Sequence, residues 1–190
     1  LLQPAEMASL TQMVQKAADL SFRFDNQMNQ YYQALDAFLV EQRDGRPLGT
    51  YPQQERILPS TRKLPIWIDV EIAWDVADGT LKRLLEILRY LRTPMRELAD
   101  QENEEAEDMW GSLGNMFSRL EEIQHHLDGL TLDPDMNMIY WVEINPKYLE
   151  INLNAAPLHI GTLMEKHLWF EKKSVILTSA TLTTNGEFDY

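Results

Sequence analysis

Apolar positions near the start of the chain recur at alternating spacings of four and three. Leu10, Val14, Ala17, Ser21, Phe24, Met28, Tyr31, Leu35 and Phe38 share one side of a helix running from about Glu6 to Gln42, with Ser21 its one polar member. Such a seam fits a coiled coil or an antiparallel helical hairpin. Its aromatic members, Phe24, Tyr31 and Phe38, read as core rather than as base-stacking platforms. Pro4 suits a helix entry, and Asp44-Gly45 ends the run. Pro47, Gly49, Pro52, Pro59 and Pro65 then punctuate a long connection of little periodicity, of the kind that is functional or wraps a domain. Ile66-Trp67-Ile68-Asp69-Val70 is either a short extended piece or the lead-in to the next helix.

A second helix is expected from about Asp69 to Gln101. Its apolar stripe is Leu81, Leu84, Leu85, Leu88, Leu91, Met95 and Leu98, and Asp78-Gly79-Thr80 is a candidate break or kink. A third runs from about Met109 to Asp128, with Trp110, Leu113, Phe117, Leu120, Ile123 and Leu127 on its apolar face and Gly129 as its stop. The period then changes. Tyr140-Trp141-Val142-Glu143-Ile144 and Tyr148-Leu149-Glu150-Ile151-Asn152-Leu153 read as a hairpin closed by Asn145-Pro146-Lys147. A short helix follows, with Ile160, Leu163, Met164 and Leu168 inward. Val175-Ile176-Leu177 reads as a buried strand that delivers Thr178, Ser179, Thr181 and Thr183 at its C-terminal end.

The expected class is therefore mainly α with a small β portion. Long antiparallel helices precede a β-hairpin and one strand of an incomplete α/β domain. The change of period divides the chain into a helical part, residues 1–138, and a β-rich part, residues 139–190. The chain begins Leu1-Leu2-Gln3-Pro4, without Met and without a basic start, so we expect a piece of a longer polypeptide and no secretory signal.

Composition narrows the chemistry. The chain has no cysteine, which removes disulfides, thiol nucleophiles and thiolate metal sites and fits a reducing compartment; the expected location is the cytoplasm. The net charge of -13 argues against strong binding of nucleic acid by this chain alone, because phosphate neutralisation drives such affinity. One local exception is a cationic stripe on the second helix, Lys82, Arg89, Arg92 and Arg96, a candidate phosphate-facing surface or a solvated face paired with nearby acids. Asp100, Glu102, Glu104, Glu105, Glu107 and Asp108 read as a solvated helix start rather than a cation site. His125 and His126 are adjacent, so they point about 100° apart on a helix; no metal site is expected. Ser179 and Thr181 have no base at recognisable spacing, so nucleophilic catalysis is not expected of them.

Val175-Ile176-Leu177-Thr178-Ser179-Ala180-Thr181-Leu182 closely resembles the Ser-Ala-Thr motif (motif III) of superfamily 2 helicases. With Tyr148-Leu149-Glu150, Ala156-Pro157-Leu158 and Leu168-Trp169-Phe170 before it, the stretch over residues 139–184 looks like the DinG family, relatives of XPD. The helical part agrees with that family in kind. The resemblance implies a helical arch domain inserted into the first motor domain of an ATP-dependent 5′ to 3′ DNA helicase. It implies that Thr178, Ser179, Ala180 and Thr181 couple ATP hydrolysis to strand separation, and that the arch borders the path of single-stranded DNA. ATP and Mg²⁺ would be bound by the parent polypeptide, and the remaining motor domains would be this chain's partners, with no membrane involved. Many relatives carry an iron–sulfur cluster held by cysteines; this chain supplies none of its ligands. No phosphate loop of the form G-x-x-x-x-G-K-[ST] and no Asp-Glu-x-His word occurs, so the chain alone is expected to bind no cofactor and to hydrolyse no ATP.

Two other readings stand beside this one. A non-enzymatic helical module could use the seam from Leu10 to Phe38 to pair with a partner helix. A metal-dependent hydrolase using Asp100 to Asp108 with His125 or His126 is the weaker of the two.

Overall fold

The computed structural model of the chain describes residues 4–100 and 104–176. Three long helices dominate: α1 (Pro4–Gln42), α2 (Pro65–Ala99) and α3 (Glu104–Thr131). Strands β1 (Gln53–Arg56), β2 (Met138–Asn145) and β3 (Glu150–Pro157) form one sheet in the order β1-β2-β3. The architecture is mainly helical with a small antiparallel sheet, as the periodicities indicate.

Contacts gather residues 1–156 into one compact unit and residues 157–190 into a second. Within the first unit, aromatic pairs set the direction of the helices. Phe38 meets Trp67 and Tyr31 meets Trp74, so α1 and α2 run antiparallel. Trp74 reaches Asp128 and Asp78 reaches Gln124, so α2 and α3 do too. Tyr31, Leu35, Phe38, Trp67, Val70, Trp74 and Leu81 are almost fully buried, and Tyr140, Val142 and Ile144 of β2 close the core from the sheet side.

The seam of α1 differs from its expected line. Val14 and Ser21 face solvent, while Met13 and Leu20 turn inward in their place. A straight helix turns every 3.6 residues, so a line spaced at 3.5 drifts around it. The buried stripe follows the helix, and Ser21 is not part of it. The end of α1 is as read: Asp44 and Gly45 both take positive φ, 53° and 69°, and the Gly45 amide donates back to the Val40 carbonyl at 2.9 Å.

One open choice is decided and three further expectations change. Of the two readings of Ile66 to Val70, the lead-in to the helix holds and the extended piece does not, because Pro65 opens α2. Asp78-Gly79-Thr80 does not break α2: Asp78 and Thr80 point inward, and the Asp78 carboxylate accepts from Lys82 and from Gln124, both at 2.5 Å. Gly129 does not end α3, which continues to Thr131. A Cβ at position 129 would lie 2.6 Å from the Tyr140 hydroxyl, so the glycine is set by a close approach rather than by a stop. Ile123, expected inward, is 44% exposed.

β1 arises where the sequence suggested only a connection. Its residues, Gln53-Gln54-Glu55-Arg56, are all polar and carry no strand signature. They pair antiparallel with β2, Gln53 opposite Ile144 and Arg56 opposite Trp141, because β2 offers an open edge. In the β2–β3 turn the Asn145 side chain accepts from the Lys147 amide at 2.9 Å. Leu149 belongs to this turn, at φ 55°, rather than to the alternating face of β3.

In the second unit, α4 (Gly161–Met164) runs into a π-helical turn, Glu165–Trp169, with no residue buried. Ile160 and Leu163 are exposed and Met164 and Leu168 half-buried. The strand expected at Val175 is not formed at Val175 or Ile176, and Ile176 is 87% exposed. A strand needs a neighbour to complete its ladder, and these two residues pair with none. Leu177 and the Thr178-Ser179-Ala180-Thr181 word lie outside the described residues.

The last turn of α3 receives side chains from every other element of the first unit except β1 and β3. Arg62, in a short 3-10 turn before α2, donates to the carbonyls of Leu130 (2.7 Å) and Gly129 (3.2 Å). The Trp67 indole reaches the Thr131 carbonyl at 3.3 Å, and the Tyr31 hydroxyl bonds the Thr131 hydroxyl at 2.8 Å. Arg62 and Trp67 replace the helical partners that the final carbonyls lack, and Tyr31 holds the Thr131 side chain.

Two outcomes test this arrangement. Gly129→Ala should cost about 1–3 kcal/mol in urea unfolding by forcing the Tyr140 ring aside, and Tyr140→Phe in that background should recover part of the loss. Burial raises the pKa of Tyr31 well above its ordinary value, with the Thr131 bond opposing in part. The folded state therefore holds a proton that the unfolded chain releases near pH 10. Stability should be unaffected by this group below pH ~10 and fall by up to ~1.4 kcal/mol per pH unit above it. Tyr31→Phe should remove that alkaline slope in denaturation curves measured from pH 9 upward.

Candidate nucleic-acid interface

The four cations expected to form one stripe lie along the seam between α2 and α3. Their spacing places them beside α3 rather than on the outer side of α2, and α3 supplies counter-groups for three of them or holds the acid that does. Lys82 lies 2.5 Å from Asp78, whose carboxylate is almost fully buried. That bond raises the Lys82 pKa above its ordinary value, with the same charge adding to the effect. Arg89 lies 3.5 Å from Glu121 of α3. Its guanidinium is also 5.5 Å from the centre of the Phe117 ring, and that of Arg92 is 5.4 Å from the same ring. Phe117 is buried, so two cations cover its outer face. The Arg96 side chain is exposed and has no ion pair among the described residues.

A cavity of about 360 Å³ opens at the Lys82 end of this seam. Asp75, Asp78, Asp128, Asp133, Asp135 and His125 line it, with Lys82 their one cationic neighbour there. Trp74 donates to Asp128 at 2.7 Å, which ties one of these acids into the core. His125 and His126 are exposed with rings 5.9 Å apart, and no three His, Asp or Glu side chains among the described residues are grouped to hold a metal ion. The acidic run expected from Asp100 to Asp108 places Glu104, Glu105 and Glu107 in the first turn of α3; Glu102 lies outside the described residues.

A second groove was not legible from sequence. Residues from α1, the following connection and the β2–β3 hairpin enclose about 550 Å³, lined by Asn29, Tyr32, Gln33, Arg43, Leu149 and Ile151 among others. Tyr32 is partly buried there, which raises its pKa. Arg43 is held at one end by Gln53 (3.1 Å) and by the Arg46 carbonyl (2.7 Å). The groove depends on a hairpin folding over a helix more than a hundred residues earlier, so no local pattern announces it. The Tyr31-Tyr32 pair and the Arg43/Arg46 pair beside the helix end were its faint signals.

No family model and no solved structure matches this chain. It is 27% identical over 127 residues to the protein described as 3'-5' exonuclease DinG of Bacillus subtilis (strain 168). The match takes in 62% of this chain and 14% of that protein. The chain is thus similar to a small part of a much longer polypeptide. No described helix is long and apolar enough to cross a membrane.

The electrostatic order of the seam can be tested. Asp78→Ala should lower stability by about 1–2 kcal/mol, since Gln124 and Lys82 lose a shared acceptor. The Lys82 ammonium should then titrate nearer the ordinary lysine value, as followed by NMR.

Proposed function

We propose that this chain is the arch-like helical region, with the return towards the first motor domain, of a DinG-like enzyme that processes nucleic acid. The observation that carries this reading is the 127-residue similarity to DinG. The Thr178-Ser179-Ala180-Thr181 word supports the finer reading, an ATP-dependent 5′ to 3′ DNA helicase in which those residues couple hydrolysis to strand separation. ATP and Mg²⁺ belong to the rest of the parent polypeptide, and this chain alone is inactive.

In this reading α2 and α3 border single-stranded DNA, and Arg89, Arg92 and Arg96 contact its phosphates. Arg96 is the freest to do so. Arg89 and Arg92 keep their stacking on Phe117 while their outer N–H groups remain available, since a guanidinium has five donors. The net charge of -13 confines such contact to this local stripe. The relative is an exonuclease by name. The role proposed for the described residues is to bind and position the strand, through the arginines of α2.

The test uses the intact enzyme. It should separate duplex strands with ATP and Mg²⁺. Replacing Arg89, Arg92 and Arg96 together by Gln should weaken single-strand binding and reduce the slope of log affinity against log salt by about 2, roughly 0.7 for each lost phosphate contact. An enzyme with no ATP-driven strand separation would sink the helicase reading. An unchanged salt slope would return the three arginines to a purely structural role.

A further inference from the structure

α2 has a second apolar stripe, on the side away from its core-facing residues. Ile68, Ile72 and Val76 follow one another at i, i+4 and i+8 and are 51%, 57% and 48% exposed. Three branched apolar side chains in a row on an open helix face are unusual, because that face normally carries polar residues.

Gly79 continues the same line. Glycine inside a helix costs roughly 0.5–1 kcal/mol relative to alanine, and is kept where a backbone or ligand approaches closely. Gly129 meets that description within the chain. Gly79 does not: its backbone is helical, and a Cβ added there would meet nothing within 4 Å. Nothing in the described fold demands the missing side chain, so the notch faces outward beside the ridge.

Charge completes the pattern. Asp69 and Arg83 are exposed at the two ends of this line and have neither a hydrogen bond nor an ion pair among the described residues. The two lie at equal distances on either side of Val76. A surface of this kind is complementary to itself when turned end for end.

We propose that α2 pairs with α2 of a second copy of this chain, antiparallel, about a two-fold axis near Val76. Ile72 of each copy packs into the notch at Gly79 of the other, and Asp69 of each meets Arg83 of the other. The contact is isologous and so closes at two copies. It leaves the faces of α2 that meet α1 and α3 untouched, and it is independent of the function proposed above.

Sedimentation of the 190-residue chain at near-physiological salt, where the mutual repulsion of two acidic copies is largely screened, decides the matter. A reversible monomer–dimer equilibrium is expected. Ile72→Glu should weaken it by about tenfold or more without loss of helical signal. Gly79→Leu separates this reading from a general change in folding: a Cβ there meets nothing within 4 Å in the single copy and glycine is a poor helix former, so the melting temperature should hold or rise while the dimer is lost. Asp69→Lys should also weaken the dimer, and Asp69→Lys with Arg83→Asp should restore it. Met116→Glu, at an exposed position of α3, should leave it unchanged. A chain that stays monomeric at the highest concentration, or a dimer indifferent to Gly79→Leu and to the charge exchange, overturns the proposal.

Discussion

The C-terminal turn of α3 is where the first unit is held together. A helix end buried in a core carries carbonyls that have no helical partner, and leaving them unpaired is costly. Here Arg62, Trp67 and Tyr31 each bring a donor or hydroxyl to Gly129, Leu130 or Thr131. Tyr140 packs against the one position, Gly129, where a side chain would obstruct it. Three stretches of the chain, around Tyr31, from Arg62 to Trp67 and at Tyr140, are thus fixed to one turn. The Arg62 guanidinium also lies 5.9 Å from the centre of the Tyr140 ring, which links the turn before α2 to β2 directly. Burial lowers the Arg62 pKa, opposed by the charges of Tyr140 and Glu71, yet arginine stays protonated at any physiological pH, so this anchor does not titrate.

Because the anchor fixes one end of the antiparallel α2–α3 pair, it helps to set the register that decides what the cationic residues face. Antiparallel α2 and α3 bring Glu121 opposite Arg89 and set Phe117 beneath Arg89 and Arg92. The same register sets Gln124 against Asp78, which in turn holds Lys82. The acids and cations of this seam therefore first serve helix packing. Any role towards phosphate is additional, and it is open mainly to Arg96 and to the outward N–H groups of the other two arginines.

Much of this was visible in the chain, for a physical reason. The three helices and the hairpin follow from apolar periodicity, and periodicity reports which face of an element is buried. Where the expectations fail, the causes are of three kinds. Val14 and Ser21 fall off the buried stripe because a 3.5-residue repeat drifts around a helix that turns every 3.6 residues, which brings Met13 and Leu20 inward instead. Gly129 and Asp78-Gly79-Thr80 were read as breaks because local propensity was weighed without the Tyr140 hydroxyl or the Lys82 and Gln124 partners. β1 was missed because its polar residues become a strand only by joining an existing edge. Of the interface, the cations were legible as a stripe, but their counter-groups came from α3 and could not be read from α2. The groove by Tyr32 and Arg43 needed the hairpin folded over α1.

The two ends of the seam differ in kind, and the difference bears on function. At the Lys82 end, five aspartates surround one lysine, so a phosphate chain is repelled there. At the other end Arg96 lies in the last turn of α2 and Glu104, Glu105 and Glu107 in the first turn of α3. Each sits where the helix dipole favours its charge, so neither set requires a ligand to account for it. A DNA strand following this surface would meet attraction only over the Arg89–Arg96 segment. That length is short for a self-sufficient binding site. The acidic balance of the chain and the DNA contact proposed above are compatible only if that contact stays local to this segment.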